Sequence, residues 1–352
     1  MSYDYTRYVL RTDPTCPPSA ATADLGGQDV DLAAAMIGEF DATAPVIAGI
    51  WQQLTPGTVA LEEMLAVTQA FTRFATRRGL RTWQAIPTKV IRDFICLPDP
   101  LITDSARKLR KNAVHGAYLA LTDAALFDAT SPARGIHPAP PPTRRAAPRA
   151  GRAPVHLRSA THDEILLIRL ACRLAGTGRT QHLPAAAVAL CTSAATTSEA
   201  AQVCWKDLAS DAAVTFAGRP AATPGSEKLI AARTVPLDPW AAQALAAWRT
   251  ERSAHRPVDP GASMLYGGNQ MLTSNTAQAC TDRQIAKAMD LADLRDQPGL
   301  TAGSLRLWAA ARNITTLATL IEGAALAGVD PLTLRRHLTA PGDHPWRNLD
   351  AA

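Results

Sequence analysis

One segment divides this chain. HPAPPPTRRAAPRAGRAPVHLR, from His137 to Arg158, is dense in proline, and the wider span 131–160 carries six Arg and no acid. Proline fixes φ and lacks an amide donor, and like charges repel. A stretch of this kind is expected to extend in solvent rather than bury a core. Whatever folds must therefore be built on either side of it. At 352 residues the chain has room for two cores, since one usually serves roughly 100–200 residues. The organisation expected is an acidic, partly helical leader (1–57), a helical domain (58–130), a Pro/Arg-rich linker (131–160), a second domain (161–342) and a tail (343–352).

On the N-terminal side, residues 29–50 are alanine-rich and mildly amphipathic, and predict one short helix within a loosely ordered leader. TVALEEMLAVTQAFTRFATRRGL, from Thr58, has an apolar stripe through Leu61, Leu65, Val67, Phe71 and Phe74 and a stop at Gly79. That spacing predicts a helix. Pro87 suits the first turn of a second helix, whose buried side would hold Val90, Ile91, Phe94 and Ile95. A long third helix is expected to begin near Thr103 or Asp104. Its first half is basic (Arg107, Lys108, Arg110, Lys111) and its second half apolar.

Beyond the proline-rich stretch, Thr161 with Glu164 three residues on has the spacing of a capping box. Helices are expected at about 183–193 and 197–206. Two short strands follow, AVTF (213–216) and ARTVPL (232–237), separated by a turn-rich segment. The chain then returns to helices through residue 338. The fold class expected is mainly α with a small β-hairpin or sheet.

Charge is distributed unevenly. Residues 1–64 hold two Arg against nine Asp or Glu, a net of −7, so the overall +5 leaves +12 on the rest. A basic body behind an acidic leader favours polyanion binding, and the leader could fold back as a mimic of that polyanion. No apolar run approaches the roughly 18–20 residues of a membrane helix. The charged first residues, MSYDYTRYVLRTD, do not resemble an export signal, so a cytoplasmic location and no membrane partner are expected. The six cysteines lie far apart, with no C-x-x-C pair and no His at zinc-ligand spacing. They read as buried thiols, and neither a metal nor an organic cofactor is implied.

Three short strings carry a resemblance to a known family. SAATTSEAAQVCWKDL (193–208) keeps Glu199, Trp205, Asp207 and Leu208; EKLIAARTVPL (227–237) keeps Lys228, Arg233 and the RTVPL ending; and GSLR (303–306) keeps Arg306. Together with the order of elements over about 58–340, they resemble the tyrosine recombinase, or phage integrase, family. The resemblance implies a helical core-binding domain (SAM-like), a linker and a catalytic-type domain that clamp duplex DNA. In that family a tyrosine attacks a DNA phosphodiester while Arg, Lys and His or Trp side chains meet the developing charge, the fixed-donor requirement of any phosphoryl transfer.

Carried over position by position, most of that set is gone. The first Arg falls on Thr196, the first His on Gly303, the second His on Val329, and the tyrosine on His337 or Leu338. The last of five tyrosines is Tyr266, so none follows Arg306. Lys228 and Arg306 are remnant positions, and no catalytic residue is assigned. The alternative nucleophiles the sequence offers are His337, Tyr266, Tyr118 and the N-terminal Tyr3, Tyr5 and Tyr8. Without its nucleophile, covalent catalysis does not proceed. The expectation is thus a catalytically inactive, integrase-like protein that binds double-stranded DNA, with a homo-oligomer assembled on the DNA among the arrangements it could adopt. Expected backbone contacts are Arg107, Lys108, Arg110 and Lys111, the linker residues Arg144, Arg145, Arg149 and Arg152, and Lys228, Arg233 and Arg306, the last as a phosphate clamp. The alternatives are a divergent active recombinase and a protein-interaction module on an inherited fold.

Overall fold

The computed structural model describes residues 38–54, 58–97, 103–138, 157–176, 178–209, 212–218, 230–255, 257–265 and 274–338. It divides into two units, within 1–145 and 146–352. Among the described residues the architecture is mainly helical with one small antiparallel sheet, as the periodicity predicts.

The first unit contains α1 (Phe40–Leu54), α2 (Thr58–Thr76), α3 (Thr88–Ile95) and α4 (Asp104–Asp123). The helix expected inside the leader exists, but it is not an appendage. Phe40, Ile47, Trp51 and Leu54 of α1 are buried, so the core begins well before residue 58. Trp83 organises that core: its ring meets Phe40 edge-on at 5.5 Å, Phe71 at 5.8 Å and Tyr118 at 5.1 Å. A buried indole N–H needs an acceptor, and Trp83 Nε1 donates to Thr43 Oγ1 at 2.9 Å. Helix α4 starts where its cap predicts, with Thr103 Oγ1 accepting from the Ala106 amide at 3.2 Å.

The proline-rich stretch is narrower than its composition implies. Ala133 and Ile136 are buried in the first unit, and Ser131 Oγ lies 2.9 Å from His115 Nδ1. At its other end, the Arg158 and Ala160 amides donate to Gly299 O and Ser304 O in the second unit. Both ends are anchored because a few apolar and polar groups there find partners.

The second unit contains α5 (His162–Ala175), α6 (Leu183–Thr192), α7 (Thr197–Gln202), the strands β1 (Leu208–Ala209), β2 (Ala213–Phe216) and β3 (Arg233–Pro236), then α8 (Pro239–His255), α9 (Ser274–Leu291), α10 (Ala302–Ala311), α11 (Leu317–Ala327) and α12 (Pro331–Leu338). The expected cap of α5 forms, with Glu164 Oε2 accepting from the Thr161 amide at 3.0 Å. The sheet order is β1-β2-β3, and Val214 faces Val235. Period-2 alternation buries Val214, Phe216 and Val235 while Thr215 and Thr234 bond each other at 3.0 Å on the outer face. Helices α10, α11 and α12 close around Leu307, Ile314, Leu320, Leu334 and Leu338. A Cβ on Gly323 would lie 2.2 Å from Ala310 O, so only glycine allows α11 this close to α10.

Candidate nucleic-acid interface and remnant site

In the second unit the three matched strings, distant in sequence, meet at the C-terminus of α11. The last carbonyls of a helix have no intrahelical partner, and two arginines supply donors. Arg233 Nε donates to Leu326 O at 2.6 Å, and Arg306 Nη2 donates to Ala327 O. Gly328, at φ +66°, ends the helix in the left-handed conformation. A Cβ there would lie 2.8 Å from Ile230 Cγ2.

Arg233 is held on all sides. Its Nη1 and Nη2 reach the two carboxylate oxygens of Glu199 at 2.6 and 3.2 Å, and Nη2 also donates to Ala194 O at 2.8 Å. Its guanidinium stacks on Phe216, 5.0 Å from the ring centroid. Glu199 is 4% exposed. Its Oε2 also accepts from the Thr196 amide at 2.9 Å, while Thr196 Oγ1 accepts from the Glu199 amide at 3.1 Å, a capping box at the start of α7. Burial pushes the Glu199 carboxyl up. The Arg233 hydrogen bonds, the Thr196 amide and the Arg233 charge outweigh it and hold the carboxyl below the usual range.

The positions where the family's catalytic side chains would fall are occupied by structural roles. Thr196 caps α7. Above Gly303, a Cβ would meet the Leu157 side chain at 3.4 Å, so the segment arriving from the proline-rich stretch fills this space. Val329 packs against the α10–α12 core. His337 lies on α12, with its side chain outside the described residues; Lys228, Tyr266, Tyr3, Tyr5, Tyr8, Arg144, Arg145, Arg149 and Arg152 also lie outside them. Tyr118 is fully buried, its hydroxyl donates to Trp83 O at 3.1 Å, and burial pushes its pKa up. Those three facts exclude it as a nucleophile.

The basic half of α4 does not form the cationic face its sequence suggests. Arg107 is 4% and Lys111 1% exposed. The two sit four residues apart and so share one side of the helix, and that side faces inward. Arg107 reaches Asp104 at 3.4 Å. Arg110 lies over the Phe94 ring at 5.1 Å and donates to Phe94 O. Lys108 is the one of the four that is exposed.

Exposed positive charge in the first unit lies elsewhere. Arg73, Arg77, Arg78 and Arg81, at the end of α2 and the following turn, and Lys89 and Arg92 on α3 are all exposed. The signal is present in the sequence as a 28-residue stretch, Leu65 to Arg92, with six cations and no acid. A second cluster joins Arg169, Asp238 and Arg312 in the other unit. Among the described residues, no group of three or more His, Cys, Asp or Glu could hold a metal ion. No helix there is long and apolar enough to cross a membrane.

No protein-family model matches the chain, and no curated protein matches it. Its structural neighbours are tyrosine recombinases and integrases. XerA recombinase is 14% identical with a TM-score of 0.41, covering 88% of this chain and 97% of that one. XerH site-specific recombinase, in a post-cleavage complex with a palindromic difH substrate, is 15% identical with a TM-score of 0.40, covering 83% and 76%. A lambda integrase dimer bound to a COC' core site is 16% identical with a TM-score of 0.37, covering 91% and 84%.

Proposed function

We propose that this chain is an integrase-like protein that binds double-stranded DNA without cutting it and serves as a regulatory or architectural factor, assembling with further copies of itself on the DNA. The observation that carries the loss of chemistry is the meeting of the three strings at the end of α11. The arginines that a phosphate would need are bonded instead to Glu199 and to helix carbonyls. No tyrosine follows Arg306 to act as nucleophile. What supports DNA as the partner is the basic body of the chain and its exposed arginines, since sequence-independent affinity for duplex comes from neutralised phosphates.

The test uses sheared DNA from the source organism, retained on the full-length protein near physiological salt and then sequenced. In parallel, a nicked duplex is probed for a protein–DNA adduct that survives denaturation. The expected result is enrichment of discrete loci and no adduct. An adduct would replace this reading with an active recombinase. Failure to retain any DNA would replace it with a protein-binding role.

Arg306 separates a phosphate clamp from a structural tie. It is half-buried and donates to Ala327 O, so we assign it to holding α11 in place. Arg306→Ala is expected to cost about 1.5–3 kcal/mol, the range for a hydrogen bond from a charged group, and to leave the salt dependence of DNA binding unchanged. A salt slope shallower by about one, with unaltered stability to urea, would identify a lost phosphate contact instead.

A further inference from the structure

We propose that the first unit meets the phosphate backbone of duplex DNA through Arg73, Arg77, Arg78 and Arg81, at the C-terminal end of α2 and the turn after it, rather than through the basic half of α4. This rests on the DNA-binding reading above and names its contact surface.

Three observations converge there. The four arginines fall within nine residues and are all exposed. Arg77 stands just past the end of α2, and its amide donates to Arg73 O at 3.1 Å, so the two arginines follow one another by a helical turn. Together with Arg81 they line a groove of about 580 Å³. Second, among the described residues Arg73 and Arg78 meet neutral groups of α2, the Gln69 and Phe74 carbonyls included. Arg73 Nη2 donates to the Gln69 side chain at 2.6 Å, and Arg78 lies over the Phe74 ring at 3.6 Å. Both arrangements brace the side chain, and among the described residues neither guanidinium is paired with an acid. Planar forks held in this way suit bidentate contact with phosphate oxygens. Third, the cations that would otherwise serve, Arg107 and Lys111, are buried within the unit.

Glu39 and Asp41, at the start of α1, line the same groove. They lower the positive potential of the groove, so a polyanion is repelled by them and drawn toward Arg73, Arg77 and Arg81. Removing the two acids should therefore tighten binding, the opposite sign to removing the arginines. Cations at the end of α2 also complement its dipole, and that purely structural role predicts a stability change with no binding change.

The test measures binding of the full chain to a random-sequence duplex as a function of salt, by fluorescence anisotropy. Four proteins are compared: the native chain, the fourfold variant Arg73→Gln, Arg77→Gln, Arg78→Gln, Arg81→Gln, a charge-matched control with Arg249, Arg283, Lys287 and Arg295 of the second unit changed to Gln, and Glu39→Gln with Asp41→Asn. If each arginine neutralises one phosphate, the fourfold variant loses about 3–4 from the salt slope and more than roughly tenfold in affinity at 0.1 M salt. The control loses less, and the acid-to-amide variant binds more tightly. Equal losses in the fourfold variant and the control would show that only net charge matters and would overturn the proposal. Unchanged binding in the fourfold variant would do so as well. A native chain that does not bind duplex at all defeats the DNA reading itself, which the native measurement shows before any variant is compared.

Discussion

Arg233→Ala is expected to destabilise the second unit by about 3–5 kcal/mol, the range for removing one partner of a buried ion pair. The substitution leaves the Glu199 carboxylate, its side chain 3% exposed, facing burial with only the Thr196 donors among the described residues. It also strips donors from Ala194 O and Leu326 O, so three segments lose a common anchor. Arg233→Lys keeps the charge but cannot span four acceptors with a planar fork, and should fall between the two. The pH dependence identifies the cause. In the native chain the Glu199 carboxyl lies below its ordinary value. Its contribution is therefore complete above that ordinary value, near about pH 4.3, and is lost as pH falls through the folded value. In Arg233→Ala burial is no longer outweighed, so the carboxyl moves up and protonation relieves the variant. The stability gap between the two proteins should thus narrow from pH 7 to about pH 4, measured by urea unfolding. A gap of constant size across that range would mean that the cost comes from the lost helix cap rather than from an unpaired carboxylate.

The helices were legible in the sequence because their determinants are local. Thr103 caps α4 and Glu164 caps the start of α5 where the spacing places them, and the period-2 run AVTF is β2. What was not legible depends on contacts between residues far apart. Nothing near Arg107 and Lys111 shows that their side of α4 turns inward, since long cationic side chains are compatible with either placement until the neighbouring helices are known. The place of α1 in the core depends on Phe40 and Thr43 meeting Trp83, some 40 residues on. In the remnant site, the strings around Glu199, Arg233 and Arg306 could be matched one at a time. Their shared destination, the carbonyls of Leu326 and Ala327, could not be read from any of them. The same strings that suggest phosphate chemistry also build a helix terminus, and only the hydrogen-bond partners distinguish the two uses.

The Arg169–Asp238–Arg312 cluster makes the same point with a larger buried charge. Arg169, on α5, is 1% exposed and lies 4.5 Å from the Trp240 ring centroid and 5.5 Å from that of Trp308. Its charge is met by Asp238 Oδ2 at 2.5 Å, and Arg312 approaches the same oxygen at 3.4 Å. Asp238 Oδ1 accepts from the Ala241 amide at 2.9 Å and so caps α8. One carboxylate thus offsets a buried guanidinium and holds a helix start. Burial works against the Arg169 charge, and Asp238 offsets this only in part. Asp238→Ala is expected to cost about 3–5 kcal/mol, because a desolvated cation loses its ion pair with Asp238. If the penalty comes from the lost Asp238 pair, adding Arg169→Met to Asp238→Ala should recover most of it, since two tryptophan rings can pack a thioether of similar volume. The double variant would then be more stable than Asp238→Ala alone, although it differs from the native chain at one more buried position. A double variant less stable than Asp238→Ala would show that Arg169 contributes mainly by packing between Trp240 and Trp308, and that the charge on Asp238 matters less than its cap on α8.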